Sequence, residues 1–312
     1  MAHQAQASTG APEVERLFIH YCLHSAKYWP ERSQRQARKI EQRVRVLARA
    51  SGGARGPALT SLVAAAKRRQ THRRRTVHLA NIGSSGSHWL EHMLVEGAGM
   101  LGAGEVYLPP TIRQKVAELA QPDAGVFMDA LTILHAGGVG TDESASVIHS
   151  MHAARPEAFL AADPSTLRVL LLRDPVDVCL SRVYRKDEYR QDIAPDSADM
   201  AYLEQNITKV AGFLQTAQGQ VYDLVLRYED LLRDPVPGMQ AISALTGTQA
   251  DRTRLEQVAE EQAAERISGK EAARATNLYV GEDRQVPVAA RELVARRLGR
   301  LGAYFGYTQA DG

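Results

Sequence analysis

The chain has 312 residues, 44% of them hydrophobic and 24% charged, with a formal net charge of +2. This is ordinary globular usage, sufficient to bury one substantial α/β core. No apolar stretch is long enough to span a bilayer, the first twenty residues lack a basic region followed by an apolar one, and two cysteines, Cys22 and Cys179, give no disulfide framework. No Cys/His cluster has metal-ligand spacing, so the expectation is a reduced, cytoplasmic protein that needs no metal.

Residues 1–12 carry no pattern of order. From 13 to 50 the periodicity is helical, with Ile40, Val44 and Leu47 on one face. Ser51-Gly-Gly-Ala-Arg-Gly-Pro57 breaks it, and a shorter helix over 58–70 follows. Between Arg32 and Arg75 fourteen Lys or Arg stand against a single acid, Glu41, so the charge of the chain is strongly polarised. This basic arm reads first as a solvated helical face. It also offers a surface, over residues 32–75, for anionic lipid headgroups, an anionic polysaccharide or nucleic acid, and so a peripheral place at a membrane.

Residues 76–91 read as a short apolar strand, a glycine and serine turn, and a helix. Backbone N–H groups of such a turn, the positive end of the helix and the hydroxyls of Ser84, Ser85 and Ser87 together suit a phosphate. Gly86 is followed by Ser87 and His88 rather than Lys-Ser/Thr, so an ordinary ATPase loop is not expected. A second strand is expected over 104–108. Residues 106–140, with Pro109-Pro110 and Gly137-Gly138, read as loop-rich. A third strand over 146–151 carries His149 and leads to His152; the two rings point to opposite faces if the strand persists.

Residues 167–173 are a buried apolar strand ending in Arg173, the edge where parallel sheets bind ligands, and Asp174-Pro175 starts a helix bearing Ser181. Arg182, Arg185, Lys186 and Arg190 follow on polar helices, either solvated or facing an acidic acceptor. A strand over 223–228 runs into Tyr228-Glu229-Asp230, and from 238 onward the chain is mostly helical, with breaks at Ser268-Gly269-Lys270 and Gly281.

Three segments in this order resemble the sulfotransferase family that uses 3'-phosphoadenosine 5'-phosphosulfate (PAPS): Ser84-Ser85-Gly86-Ser87-His88-Trp89, Arg173 with Ser181 eight residues on, and Tyr228 to Leu231. The resemblance covers roughly residues 76–307, including the closing Ala303-Tyr-Phe-Gly-Tyr307. It implies a three-layer, P-loop NTPase-like α/β fold with a mainly parallel sheet over 76–312, preceded by the basic helical extension over 1–75. It further implies that Ser84, Ser85, Gly86, Ser87 and His88 hold the 5'-phosphosulfate and that Trp89 stacks on adenine. Arg173 and Ser181 would hold the 3'-phosphate, and Tyr228 would line the nucleotide pocket.

The reaction so implied moves a sulfuryl group to the hydroxyl of a small-molecule, carbohydrate or lipid acceptor, releasing 3'-phosphoadenosine 5'-phosphate (PAP). Histidine is the side chain suited to take the acceptor proton near neutral pH. The candidates are His152, preferred for its place at the strand's carboxyl end, and His149. The chain departs from the family at Ser84, where a lysine is usual. A basic, glycine-containing loop that covers the 3'-phosphate in relatives has only Lys270, Arg274 and Arg284 as local candidates. A small-molecule P-loop kinase and a non-catalytic nucleotide-binding protein with a basic arm are the alternative classes.

Overall fold

A computed structural model describes residues 12–71, 75–137, 145–155, 163, 165–185, 194, 196–268 and 286–307. In chain order the elements are α1 (Glu13–Leu23), α2 (Gln34–Ala50), α3 (Arg55–Thr71), β1 (Thr76–Asn81), α4 (Ser87–Ala98), β2 (Leu101–Glu105), α5 (Pro110–Glu118), α6 (Asp123–His135), β3 (Val147–Met151) and β4 (Thr166–Leu172). They continue with α7 (Pro175–Leu180), a π-helical turn (Ser181–Arg185), α8 (Asp199–Gln218), β5 (Leu224–Arg227), α9 (Tyr228–Arg233), α10 (Val236–Thr246), α11 (Arg252–Ser268) and α12 (Val288–Tyr304).

The chain forms two compact units, one of residues 1–74, 106–144 and 158–165, the other of residues 75–105, 145–157 and 166–312. The first is helical. Phe18 of α1 meets Phe127 of α6 edge-on at 5.4 Å, and Ile40, Val44 and Leu47 of α2 are buried, as their spacing predicts. The opposite face of α2 carries exposed Arg35, Arg38, Lys39, Arg43, Arg45 and Arg49.

The expectation of a loop-rich 106–140 is corrected here, because α5 and α6 occupy most of that stretch and α6 is buried from Ala124 to His135. Pro110 sits at the first position of α5, where its missing N–H costs nothing, and Gly137 follows α6 with φ of 114°. These residues punctuate helices rather than a loop. Gly138 lies outside the described residues.

The second unit is built on a five-stranded, all-parallel sheet in the order β2-β3-β1-β4-β5. Period-two alternation gives the strands two apolar faces. Val77, Leu79, Val169 and Leu171 pack with α4, α10 and α11, while Ala80, Leu170 and Leu172 pack with α7, α8 and α12. The result is the expected three-layer α/β arrangement. β2 lies three residues before its expected position. Its sequence, Leu-Gly-Ala-Gly-Glu, has no apolar run, and Gly102 leaves room for Glu91, since a Cβ there would stand 2.7 Å from Oε1.

From β1 the chain enters α4 on one face of the sheet, and from the neighbouring β4 it enters α7 on the other. The crevice between β1 and β4 is therefore the switch point of the sheet, the place where open parallel sheets hold ligands. Among the described residues no helix is long and apolar enough to cross a membrane.

Candidate active site

The loop from β1 to α4 is wound left-handed. Gly83, Ser84 and Gly86 have φ of 79°, 54° and 83°, and Ser84 is the one non-glycine residue with positive φ among those described. Such winding turns successive N–H groups inward to make an anion-binding concavity, ahead of the positive end of α4. Asn81 props the loop: its Oδ1 accepts from the Gly83 N–H at 2.8 Å, and its Nδ2 donates to Ser150 Oγ of β3 at 2.6 Å. Ser85 is fully buried and its Oγ has no hydrogen-bond partner among the described residues, while Ser87 is buried at the first turn of α4. An orphaned hydroxyl inside a concavity of N–H groups fits a phosphate or sulfate oxygen.

The β4 side of the loop is tightly built. Arg173 Nη1 donates to the Ser84 carbonyl at 2.9 Å, its guanidinium lies 4.7 Å over the Tyr228 ring, and its Nε has no partner among the described residues. Tyr228 in turn covers Gly86, where a Cβ would stand 2.5 Å from the ring, and meets Trp89 edge-on at 6.2 Å. Trp89 is buried in the core that α4 shares with the sheet. Glu229 accepts from the Asp174 N–H at 2.8 Å and, through its other oxygen, from the Tyr307 hydroxyl at 3.0 Å. Asp174 caps α7 through the Val176 N–H, and burial raises its carboxyl above the usual range. Burial, with Glu229 beside it, also raises the Tyr307 hydroxyl. Ser181 is buried where α7 passes into the π-helical turn.

The β3 side is assembled differently. His152 directly follows the last residue of β3, and its ring lies against Gly83, where a Cβ would stand 3.2 Å from Cε1. Its Nε2 is 3.2 Å from Oε1 of Glu105 at the carboxyl end of β2, and the same oxygen is 3.9 Å from His88 Nε2. Glu91 of α4 holds the end of β2 in place by accepting from the Gly104 N–H at 2.7 Å. Arg182, in the π-helical turn, donates to the Ile82 carbonyl and, at 3.3 Å, to Asn206 Oδ1 of α8. A guanidinium thus stands on each flank of the loop, Arg182 on the Ile82 carbonyl and Arg173 on the Ser84 carbonyl. π-Helical turns of this kind are frequent at functional sites.

His149 occupies the middle of β3, fully buried, with its ring 5.0 Å from that of His78, its register partner on β1. It points into the sheet's packed face, away from the edge that carries the loop. Asn81 and Glu105 are not among the expected site residues, and Arg182 is expected only as one of four basic residues either solvated or facing an acidic acceptor. Each is a single polar residue at the end of a strand or after a buried serine, with no spacing signal of its own. Lys270, Arg274 and Arg284 lie outside the described residues, as do Lys186, Arg190 and the side chain of Arg185.

The class this defines is an α/β protein that binds an anionic nucleotide at a switch-point loop without the lysine of an ATPase loop. A family model for the sulfotransferase domain matches residues 85–290, well over half of the chain. The chain belongs to that family, the PAPS-dependent sulfotransferases. Among solved structures it is similar to sulfotransferase STF9 from Mycobacterium avium, at 12% identity and a TM-score of 0.49, over 97% of this chain and 93% of that one. It is also similar to mouse sulfotransferase SULT7A1 complexed with PAP, at 12% identity and a TM-score of 0.44, over 74% of this chain and 84% of that one. A third likeness is to retinol dehydratase in complex with androsterone and PAP, at 12% identity and a TM-score of 0.43, over 76% and 83%. No curated protein matches the sequence.

Proposed function

We propose that the protein moves a sulfuryl group from PAPS to an acceptor hydroxyl, with His152 as general base. The observation that carries this reading is the imidazole of His152 seated against Gly83 of the loop and 3.2 Å from Glu105. The acceptor oxygen attacks sulfur in line, the bond from sulfur to the bridging oxygen breaks, and PAP departs with that oxygen. The acceptor proton goes to His152. An Nε2–H donated to Glu105 puts the basic lone pair on Nδ1, so Glu105 is a positioning residue that fixes the tautomer and steadies the imidazolium.

Ser85, Gly86, Ser87 and His88 would hold the phosphosulfate, with the orphaned Ser85 hydroxyl and the loop N–H groups as donors. Arg182, whose guanidinium stands beside Gly83, would supply the positive charge that Ser84 lacks against the negative charge that grows on the leaving oxygen. This speaks against a non-catalytic nucleotide binder, which needs no such cation. Arg173 and Ser181 would hold the 3'-phosphate, the first through its guanidinium fork, and Tyr228 would line the nucleotide pocket, while Trp89, buried in the core rather than free to stack on adenine, backs the Tyr228 ring.

Calorimetric titration with PAP, ADP and ATP tests the donor. Binding of PAP well above the other two is expected, and equal affinity for PAP and ADP removes the 3'-phosphate assignment.

A further inference from the structure

Beside the loop, on the His152 side, lies a cleft of about 510 Å3 lined by Ile82, His152, Ala153, Ala154, Arg155, Arg182 and a stripe of α8. That volume suits a ligand of drug size. The stripe is Tyr202, Asn206, Lys209, Phe213 and Thr216, at the alternating spacing of four and three that keeps residues on one helical face. Asn206 ties the stripe to the loop through its bond with Arg182.

Two features of the cleft carry chemistry that the transfer step does not use. Lys209 and Arg155 both line it and are solvent-exposed, and among the described residues no carboxylate lines it. The walls between them, Phe213, Ala153 and Ala154, are apolar. Gly212 sits in mid-helix on the same cleft, where a Cβ would meet nothing within 4 Å. Glycine weakens a helix interior and packing does not require it here, so its effect is to leave room.

Resting on the sulfotransferase reading, we infer that this cleft takes a hydroxyl acceptor with an apolar body and an anionic group, a carboxylate, phosphate or sulfate, that meets Lys209 and Arg155. Rim cations are worth little singly, but two of one sign lining an apolar, concave wall select for charge.

The test uses the full chain, with and without saturating PAP, titrated with two isosteric pairs. These are 4-nitrophenyl glucuronide against 4-nitrophenyl glucoside, and 4-hydroxyphenylacetate against 4-(2-hydroxyethyl)phenol. In at least one pair the anion is expected to bind about tenfold tighter than its neutral partner. The preference should fall below about threefold in Arg155→Gln/Lys209→Gln, with PAP affinity unchanged within about twofold. Gly212→Leu should abolish binding of both members while sparing PAP, which ties binding to the cleft rather than to charge alone. Equal binding within both pairs, no binding of any probe, or a preference that survives the double substitution overturns the inference. So does undiminished binding in Gly212→Leu. Failure of the wild-type chain to bind PAP counts against the donor reading instead, and the titrations without nucleotide still decide the chemistry of the cleft.

Discussion

The two flanks of the loop between β1 and α4 are built on opposite plans. On the β4 side, Arg173, Asp174, Tyr228 and Glu229 come from two short segments whose residues contact one another as well as the loop: guanidinium on ring, ring on Gly86, carboxylate on N–H. On the β3 side, Glu105, His152 and Arg182 each come from a different element: Glu105 and His152 pair with each other, and Arg182 reaches the loop separately through the Ile82 carbonyl. The first plan yields a rigid seat, as holding a constant donor requires. The second yields a site open to solvent on one side, where a variable acceptor can enter.

The sharpest way to break this comparison is to remove one member from each flank. His152→Ala should lower turnover by about a thousandfold, the scale of general-base loss, while PAP affinity measured by calorimetry changes less than about twofold. Parallel loss of both would show that the β3 flank also holds the donor. Arg173→Ala should do the reverse, weakening PAP by up to about a hundredfold, the worth of a charge-assisted pair of hydrogen bonds. Unchanged PAP affinity would leave the β4 flank without its assigned ligand.

Both flanks rest on the same strand, and acid should loosen them together. His78 of β1 is fully buried, facing His149 on β3 and Arg168 on β4, and burial with Arg168 nearby lowers its pKa to about 4. Unfolding returns it to about 6.5, so the unfolded chain binds the extra proton between those values. Its contribution is complete above pH 6.5 and is lost as pH falls, by roughly 2 kcal/mol between pH 6.5 and 5. Urea unfolding at those two pH values measures the loss, to which His135 of α6, also lowered to about 4 by burial, adds a like share; His78→Leu should remove about half of it, and an unchanged slope would place the titration elsewhere. Smallest is Gly212→Ala, expected to stabilise the chain by about 1 kcal/mol, because the helix gains an alanine where the cleft leaves space. A destabilised variant would mean the cleft is packed shut in solution.

The same contrast explains what could be read from the sequence. The apolar runs of β1, β3 and β4 and the loop, Arg173 and Tyr228 stand out because each is local: a few adjacent residues, or a fixed interval along one strand and helix. β2 escaped its true position because Leu101 to Glu105 is half glycine and polar, a strand made by its neighbours' hydrogen bonds rather than by its own propensity. α5 and α6 read as loop because Pro109-Pro110 and Gly137 were taken as breaks, when they start one helix and end another. Glu105 has no pattern to betray it, and Arg182 stands out only as one of a run of basic residues. Their partners, His152 and Ile82, lie far along the chain, and only the folded sheet brings them together.

Glu229 adds a consequence about time rather than space. One of its oxygens steadies the turn after Arg173, and the other is taken by Tyr307, 78 residues downstream. During synthesis, the strands, the loop and Arg173 emerge long before that tyrosine does. The Glu229 carboxylate is left half-bonded until Tyr307 has cleared the ribosome, so the turn after Arg173 is finished by one of the last residues described in the chain.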